Sequence, residues 1–212
     1  MKIEKLPLGR LQTNAYLAWE NPEEAVLIDP GDETEKLFLW VEGAGIKPAA
    51  VLLTHAHFDH VGAVGGAVER WGIPVYLHPQ ALPVYRRAAA SAARWGFEIG
   101  QPPEEPLVML AEGDLDIGPG FRVFHLPGHC PGHVGFYNAA DGVVFSGDVL
   151  FAGGVGRWDI PGADREVLAA TIRKLFALPP QTVVYPGHGP PTTLEAELET
   201  NTYVREWLGA SS

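Results

Sequence analysis

The chain alternates between short apolar runs and longer stretches of helical period. Runs at 2–8, 14–19 and 25–28 predict three successive strands, the third leading into the turn signal Asp29-Pro30-Gly31. A helical pattern follows over 34–44, and then the unbroken apolar run 49–54 predicts a strand buried on both faces. The spacing predicts a helix over 61–71, a strand over 74–77, helical structure over 81–97 and a proline-rich loop over 100–106. In the second half, strands are expected near 121–126, 134–137, 143–145 and 182–185. Residues 165–176 predict a helix with Asp164 as N-cap and Val167, Leu168, Ile172, Leu175 and Phe176 on one face. The last helix opens on a capping-box pattern, Thr192-Thr193-Leu194-Glu195. Strands and helices interleave in both halves, so the expected class is α/β, with two sheets face to face and helices outside.

Composition narrows the picture. A length of 212 residues fits one domain spanning 1–212, and 46% hydrophobic residues suffice for a real core. No stretch reaches the roughly 18 uncharged apolar residues of a membrane span, and the N-terminus lacks the apolar run of a signal peptide, so a cytoplasmic location is expected. A single cysteine, Cys130, excludes an internal disulfide framework. The net charge of −11 opposes nonspecific binding to nucleic acid or anionic lipid, so neither is expected as a partner. A small anionic substrate stays compatible, because one local arginine can override a distant average.

Candidate chemistry sits where the apolar runs end. The string Thr54-His55-Ala56-His57-Phe58-Asp59-His60 overlaps the end of the run at 49–54. In extended chain, residues two apart point the same way, so His55 and His57 can converge on one ion. The following turn swings Asp59 and His60 toward a neighbouring position. His129, Asp148 and His188 each follow another strand-like run, flanked by glycines that permit close backbone approach. Imidazole and carboxylate suit zinc and also accept iron or manganese. Seven such donors exceed one tetrahedral site, so two divalent ions are expected, with a single ion as the alternative.

These landmarks, in this order, resemble the metallo-β-lactamase superfamily: Leu-Ile-Asp-Pro-Gly around Asp29, Thr-His-Ala-His-Phe-Asp-His, Leu-Pro-Gly-His-Cys-Pro-Gly-His, Phe-Ser-Gly-Asp and Tyr-Pro-Gly-His-Gly. The resemblance covers nearly the whole chain and implies an αββα sandwich with metals at one sheet edge. It implies that His55, His57 and His129 hold one ion, that Asp59, His60 and His188 hold the second, and that Asp148 bridges both opposite a hydroxide. Asp59 and Asp148 are then the candidate catalytic carboxylates, and Asp29 is expected to hydrogen-bond a ligand histidine.

Among the branches, the chain is most similar to glyoxalase II and its smaller relatives, which hydrolyse thioesters. Phe151-Ala152-Gly153-Gly154-Val155-Gly156-Arg157 resembles the loop that carries a basic substrate-binding residue there, which makes Arg157 a candidate clamp for a substrate carboxylate. The C-terminal helical region is shorter than in full-length glyoxalase II, and Thr200-Asn201-Thr202-Tyr203 matches its Asn-Pro-Phe pattern only in part. The thiol is therefore left open. Asp148 stands where zinc β-lactamases generally carry cysteine, which argues against antibiotic hydrolysis. The expected function is a dinuclear metal-dependent thioesterase acting on a small thiol ester. A mononuclear iron persulfide dioxygenase and a noncatalytic metal-binding module are the alternatives. The segment 82–97, with Arg86, Arg87, Arg94 and Trp95, is read as an amphipathic surface helix, with a lid as the other possibility. His78, His125 and His133 are expected to pack around the ligands, and Cys130 to be buried without binding metal.

Overall fold

A computed structural model describes residues 1–209; the stretch 210–212 of the domain expected over 1–212 lies outside the described residues. The first half contains β1 (Lys2–Leu8), β2 (Thr13–Trp19), β3 (Val26–Ile28), α1 (Thr34–Gly43), β4 (Ala50–Leu52), α2 (Phe58–Val61), α3 (Val64–Trp71), β5 (Val75–Leu77), α4 (Leu82–Tyr85), α5 (Ala88–Arg94) and β6 (Leu107–Met109). The second contains β7 (Gly113–Leu115), β8 (Phe121–His125), β9 (Val134–Asn138), β10 (Val143–Gly147), β11 (Leu150–Phe151), β12 (Gly154–Val155), α6 (Arg165–Leu175), β13 (Val183–Pro186), β14 (Thr192–Thr193), α7 (Leu194–Thr200) and α8 (Thr202–Leu208).

Two six-stranded mixed sheets result, ordered β1-β2-β3-β4-β5-β6 and β14-β13-β10-β9-β8-β7. In the first, β3 to β6 run parallel; in the second, only β10 and β13 do. Strand alternation sorts side chains into layers. Tyr16, Ala18, Ile28 and Leu52 meet Phe121, Val123, Phe136 and Phe145 between the sheets. Leu17, Leu27, Val51 and Val75 face outward onto Leu37 and Val41 of α1 and Val64 and Ala67 of α3. On the far side, Val144 and Val184 pack on Leu168, Ile172 and Leu175 of α6 and on Val204 and Trp207 of α8. This is the expected αββα sandwich with helices outside.

Several boundaries move for local reasons. The helix expected over 61–71 starts earlier and divides, because the chain is pinned to the Asp29-Pro30-Gly31 turn: Ala63 N–H donates to Pro30 O at 3.0 Å. The stretch 81–97 forms two short helices rather than one. Asp164 caps α6, accepting from Val167 N–H at 3.0 Å, but Val167 itself is exposed and Thr171 takes a buried place. The last helix is capped one residue later than the capping-box pattern predicts. Thr193 accepts from Ala196 N–H, and Thr192 Oγ1 instead donates to Glu197 at 2.6 Å. Asn201 then breaks that helix and caps α8. β6, β7 and the hairpin β11–β12 are too short to register in the apolar pattern.

Glu197 is buried beneath that hairpin. Its Oε2 accepts from Gly153 N–H at 2.9 Å and from Asn201 Nδ2 at 2.8 Å, while Asn201 also donates to Gly154 O at 3.0 Å. A buried carboxylate whose partners are all donors fixes the loop that follows Asp148. Glu197→Ala removes the acceptor of three hydrogen bonds and should lower stability by about 3 kcal/mol in chemical denaturation; a loss under about 1 kcal/mol would contradict this anchoring role.

Candidate metal centre and its cavity

The functional side chains gather because strands of both sheets end on one rim. Asp29 follows β3, His55 follows β4, His57 precedes α2, and Asp59 and His60 lie in its first turn. His129 follows β8, Asp148 follows β10 and His188 follows β13. The backbone at the rim is tightly packed. Gly147 adopts φ +48 with Thr54 and His133 against its α-carbon, and a Cβ on Gly187 would collide with Asp148 Oδ1 and the His60 ring.

Two adjoining donor sets form there. Each of the sets His55, His129, Asp148 and Asp59, His60, His188 has its ligand atoms within 4.8 Å of one another. His57 joins the first through His129, their Nδ1 and Nε2 facing at 2.9 Å. Asp148 lies between the sets: Oδ1 is 3.4 Å from His60 Nε2, and Oδ2 is 3.7 Å from His129 Nε2 and 3.6 Å from His188 Nε2. The structure thus brings together all seven residues singled out in the sequence.

The outer nitrogens of four of these rings are already committed. His129 Nδ1–H donates to Arg157 O at 2.9 Å, and His188 Nδ1–H to Leu11 O at 3.1 Å. His60 Nδ1–H donates to Asp29 Oδ2 at 3.0 Å. Thr54 Oγ1 donates to Asp29 Oδ2 at 2.6 Å and is left to accept from His55 Nδ1–H at 3.1 Å. Each ring therefore turns Nε2 inward. His55 Nε2, His60 Nε2 and Asp148 Oδ1 are buried there without a hydrogen-bond partner. Polar atoms buried together without a hydrogen-bond partner are costly, and a cation among them resolves that cost. The donor set fits divalent metal.

Electrostatics agree. Burial pushes His55 well below the usual histidine range, and burial together with His129 holds His57 down to about 4, so both stay neutral and able to bind metal. Burial also opposes charge on His60 and His188, but Asp148 and Asp59 outweigh it, raising His60 well above the usual range and His188 to about 9. Asp148 and Asp59 are held down against their own burial by His60 and His188.

Sequence reasoning missed several supports. Thr13 Oγ1 donates to Asp59 Oδ2 at 3.0 Å, and Asn14 Nδ2 pins the chain on either side of His188 through Pro186 O and Gly189 O, both at 2.9 Å. Neither residue stands in a recognisable motif. His133 stacks on His55 at 4.8 Å and its Nε2 accepts from Asp148 N–H at 3.1 Å. His78 and His125 stack on each other at 4.5 Å and are not among the rings packed on the cluster. Cys130 approaches His55 and His57, and burial, then Asp148 and Asp29, push its thiol well above the usual range. Arg157 is exposed and paired with Asp159 through two 2.9 Å bonds.

A cavity of about 840 Å³ opens over the cluster, with His57, Asp59, His129 and Asp148 at its base and Phe58, Pro83, Val84, Trp95, Phe97 and Ile160 on its walls. Segment 82–97 is therefore a wall of this cavity as well as a surface element. Among the described residues, no helix is long and apolar enough to cross a membrane.

A family model described as the metallo-beta-lactamase superfamily matches residues 8–188. The chain belongs to the metallo-beta-lactamase superfamily. Two relatives align along nearly their whole length. The probable metallo-hydrolase YqgX of Bacillus subtilis is 40% identical over 96% of this chain and 98% of its own. The hydroxyacylglutathione hydrolase GloC of Haemophilus influenzae is 36% identical over 96% and 98%. Among solved structures, TTHA1623 in a di-iron-bound form is 52% identical with a TM-score of 0.90, covering 94% of this chain and 99% of that one. The B3 metallo-beta-lactamase BLEG-1 is 40% identical with a TM-score of 0.87, covering 96% and 99%. Within the superfamily the chain is thus similar to metallo-hydrolases.

Metal loading must displace the proton that His188, its value raised to about 9 by Asp148 and Asp59, carries at pH 7 in the metal-free protein. Loading at pH 7 should therefore release protons, and release should fall above pH 9, when calorimetry is run in buffers of different ionisation enthalpy. No release at pH 7 would contradict the raised value of His188.

Proposed function

We propose that this protein is a dinuclear metal-dependent hydrolase that cleaves thioesters in the manner of glyoxalase II. The observation that carries the reading is the pair of adjoining donor sets sharing Asp148 at the base of a cavity. His55, His57 and His129 would hold one ion, Asp59, His60 and His188 the other, and Asp148 would be common to both. Zinc is the first choice, and the di-iron form of TTHA1623 makes iron the alternative. When bound, such a pair supplies Lewis acidity and brings the pKa of water toward about 7.

The protein's own residues do the rest. Asp29 and the carbonyls of Leu11 and Arg157 hold the rings in one orientation, so little reorganisation is needed during reaction. Phe58, Trp95, Phe97 and Ile160 limit water around the scissile group. Apart from the candidate ligands, the walls offer Cys130, Ser91, Trp95 and arginines as side-chain hydrogen donors, all poor acids at neutral pH. That favours a leaving group that departs without a proton. A thiolate does so, whereas an amine does not. The hydroxyacylglutathione hydrolase relative supports the same choice. The 40% identity to BLEG-1 favours β-lactam hydrolysis as the second reading.

Zinc-loaded protein should hydrolyse S-lactoylglutathione, and Asp148→Ala should lose at least one ion together with turnover. A variant keeping two ions and full activity would overturn the shared role of Asp148, and turnover of a β-lactam alone would select the second reading. Arg157→Ala keeps the carbonyl that orients His129, so it should raise KM several-fold with little change in kcat. An unchanged KM would remove Arg157 as a carboxylate clamp.

A further inference from the structure

Segment 82–97 carries more positive charge than the carboxylates paired with it among the described residues. Three arginines stand on it. Arg86 is turned to Glu104, with its Nε 3.0 Å from Oε2, and does not line the cavity. Arg87 and Arg94 do line it, and among the described residues neither has a carboxylate within ion-pair distance. This contrasts with Arg157 across the cavity, whose guanidinium is taken up by Asp159.

The spacing is that of one helix face. Arg87, Ala90, Ser91 and Arg94 follow the i, i+3, i+4, i+7 pattern, and all four line the cavity, while Ala88 and Ala92 point into the core. Seven residues of helix separate the arginines by about 10 Å, with a floor of small side chains between them. Trp95 and Phe97 continue the wall beyond the second arginine. In a chain of net charge −11, a paired carboxylate would have been easy to supply here.

We infer that Arg87 and Arg94 are specificity-determining residues that bind the anionic thiol portion of the substrate. This rests on the thioesterase reading and adds the residues that select its substrate: the arginines take the carboxylate of the thiol carrier, and Trp95 and Phe97 take an apolar stem. The arginines offset the negative field of the protein locally and form charge-assisted hydrogen bonds to the carrier. Neither belongs to the seven candidate ligands, so they govern binding and not the chemical step.

The test uses zinc-loaded full-length protein and a thioether that cannot be hydrolysed. Calorimetric binding of S-hexylglutathione is compared with that of its diethyl ester, in which both carboxylates are capped. The wild type should bind the acid at least tenfold more tightly than the ester. Arg87→Ala with Arg94→Ala should weaken the acid by at least tenfold and leave the ester unchanged, at unaltered metal content and thermal midpoint. Lysine at both positions should restore part of the preference, and Arg86→Ala should have no effect. Equal affinity for acid and ester, a preference that survives the double substitution, or no binding of either compound overturns the inference. Because binding needs no turnover, a preference without hydrolysis of any thioester would retain the anion site and reject the thioesterase reading. Hydrolysis without a preference would do the reverse.

Discussion

Burying imidazole and carboxylate lone pairs so that they point at one another is the constraint on which the rest of this structure depends. Neutral rings in such a cluster repel unless a proton or a cation lies between them, and burial removes the water that would otherwise screen them. The fold enforces this arrangement from outside. Backbone carbonyls of Leu11 and Arg157 and the Asp29 carboxylate take the outer N–H of the rings, leaving Nε2 inward. Asp29 also accepts from Thr54 N–H and Oγ1–H, tying the end of β3 to the end of β4. It does so in a left-handed backbone conformation, φ +49, which orders the turn.

The rim can be this demanding because the layers behind it are conventional. Parallel strands β3 to β5 are buried on both faces, and the aromatic cluster of Tyr16, Phe145 and Tyr185 cross-links the two sheets close to where Asp148 and His188 emerge. Glu197, out of sight of the ligands, secures the hairpin that leads from Asp148 to Arg157. Stability supplied by apolar layers thus holds a site that would repel itself if left without cations.

Much of this was legible in the sequence, and the reason is physical. The ligands lie in short strings directly after apolar runs, so strand periodicity and turn glycines place them together before any coordinates exist. What was not legible belongs to long-range contacts. Thr13 reaches Asp59 across 46 positions, and Asn14 reaches Pro186 across 172; neither has a local signature. Hydropathy does not mark the division of 81–97 into two helices. Nor does it distinguish Arg86 from Arg87, adjacent residues that read alike in the sequence yet face Glu104 and the cavity respectively.

The central claim is that two ions sit side by side in these donor sets. Diffraction at the absorption edge of the loaded metal tests it most directly. The account predicts two anomalous peaks per chain, one among His55, His57 and His129, the other among Asp59, His60 and His188, with Asp148 touching both. A single peak under saturating metal, or a second peak away from these residues, would contradict it.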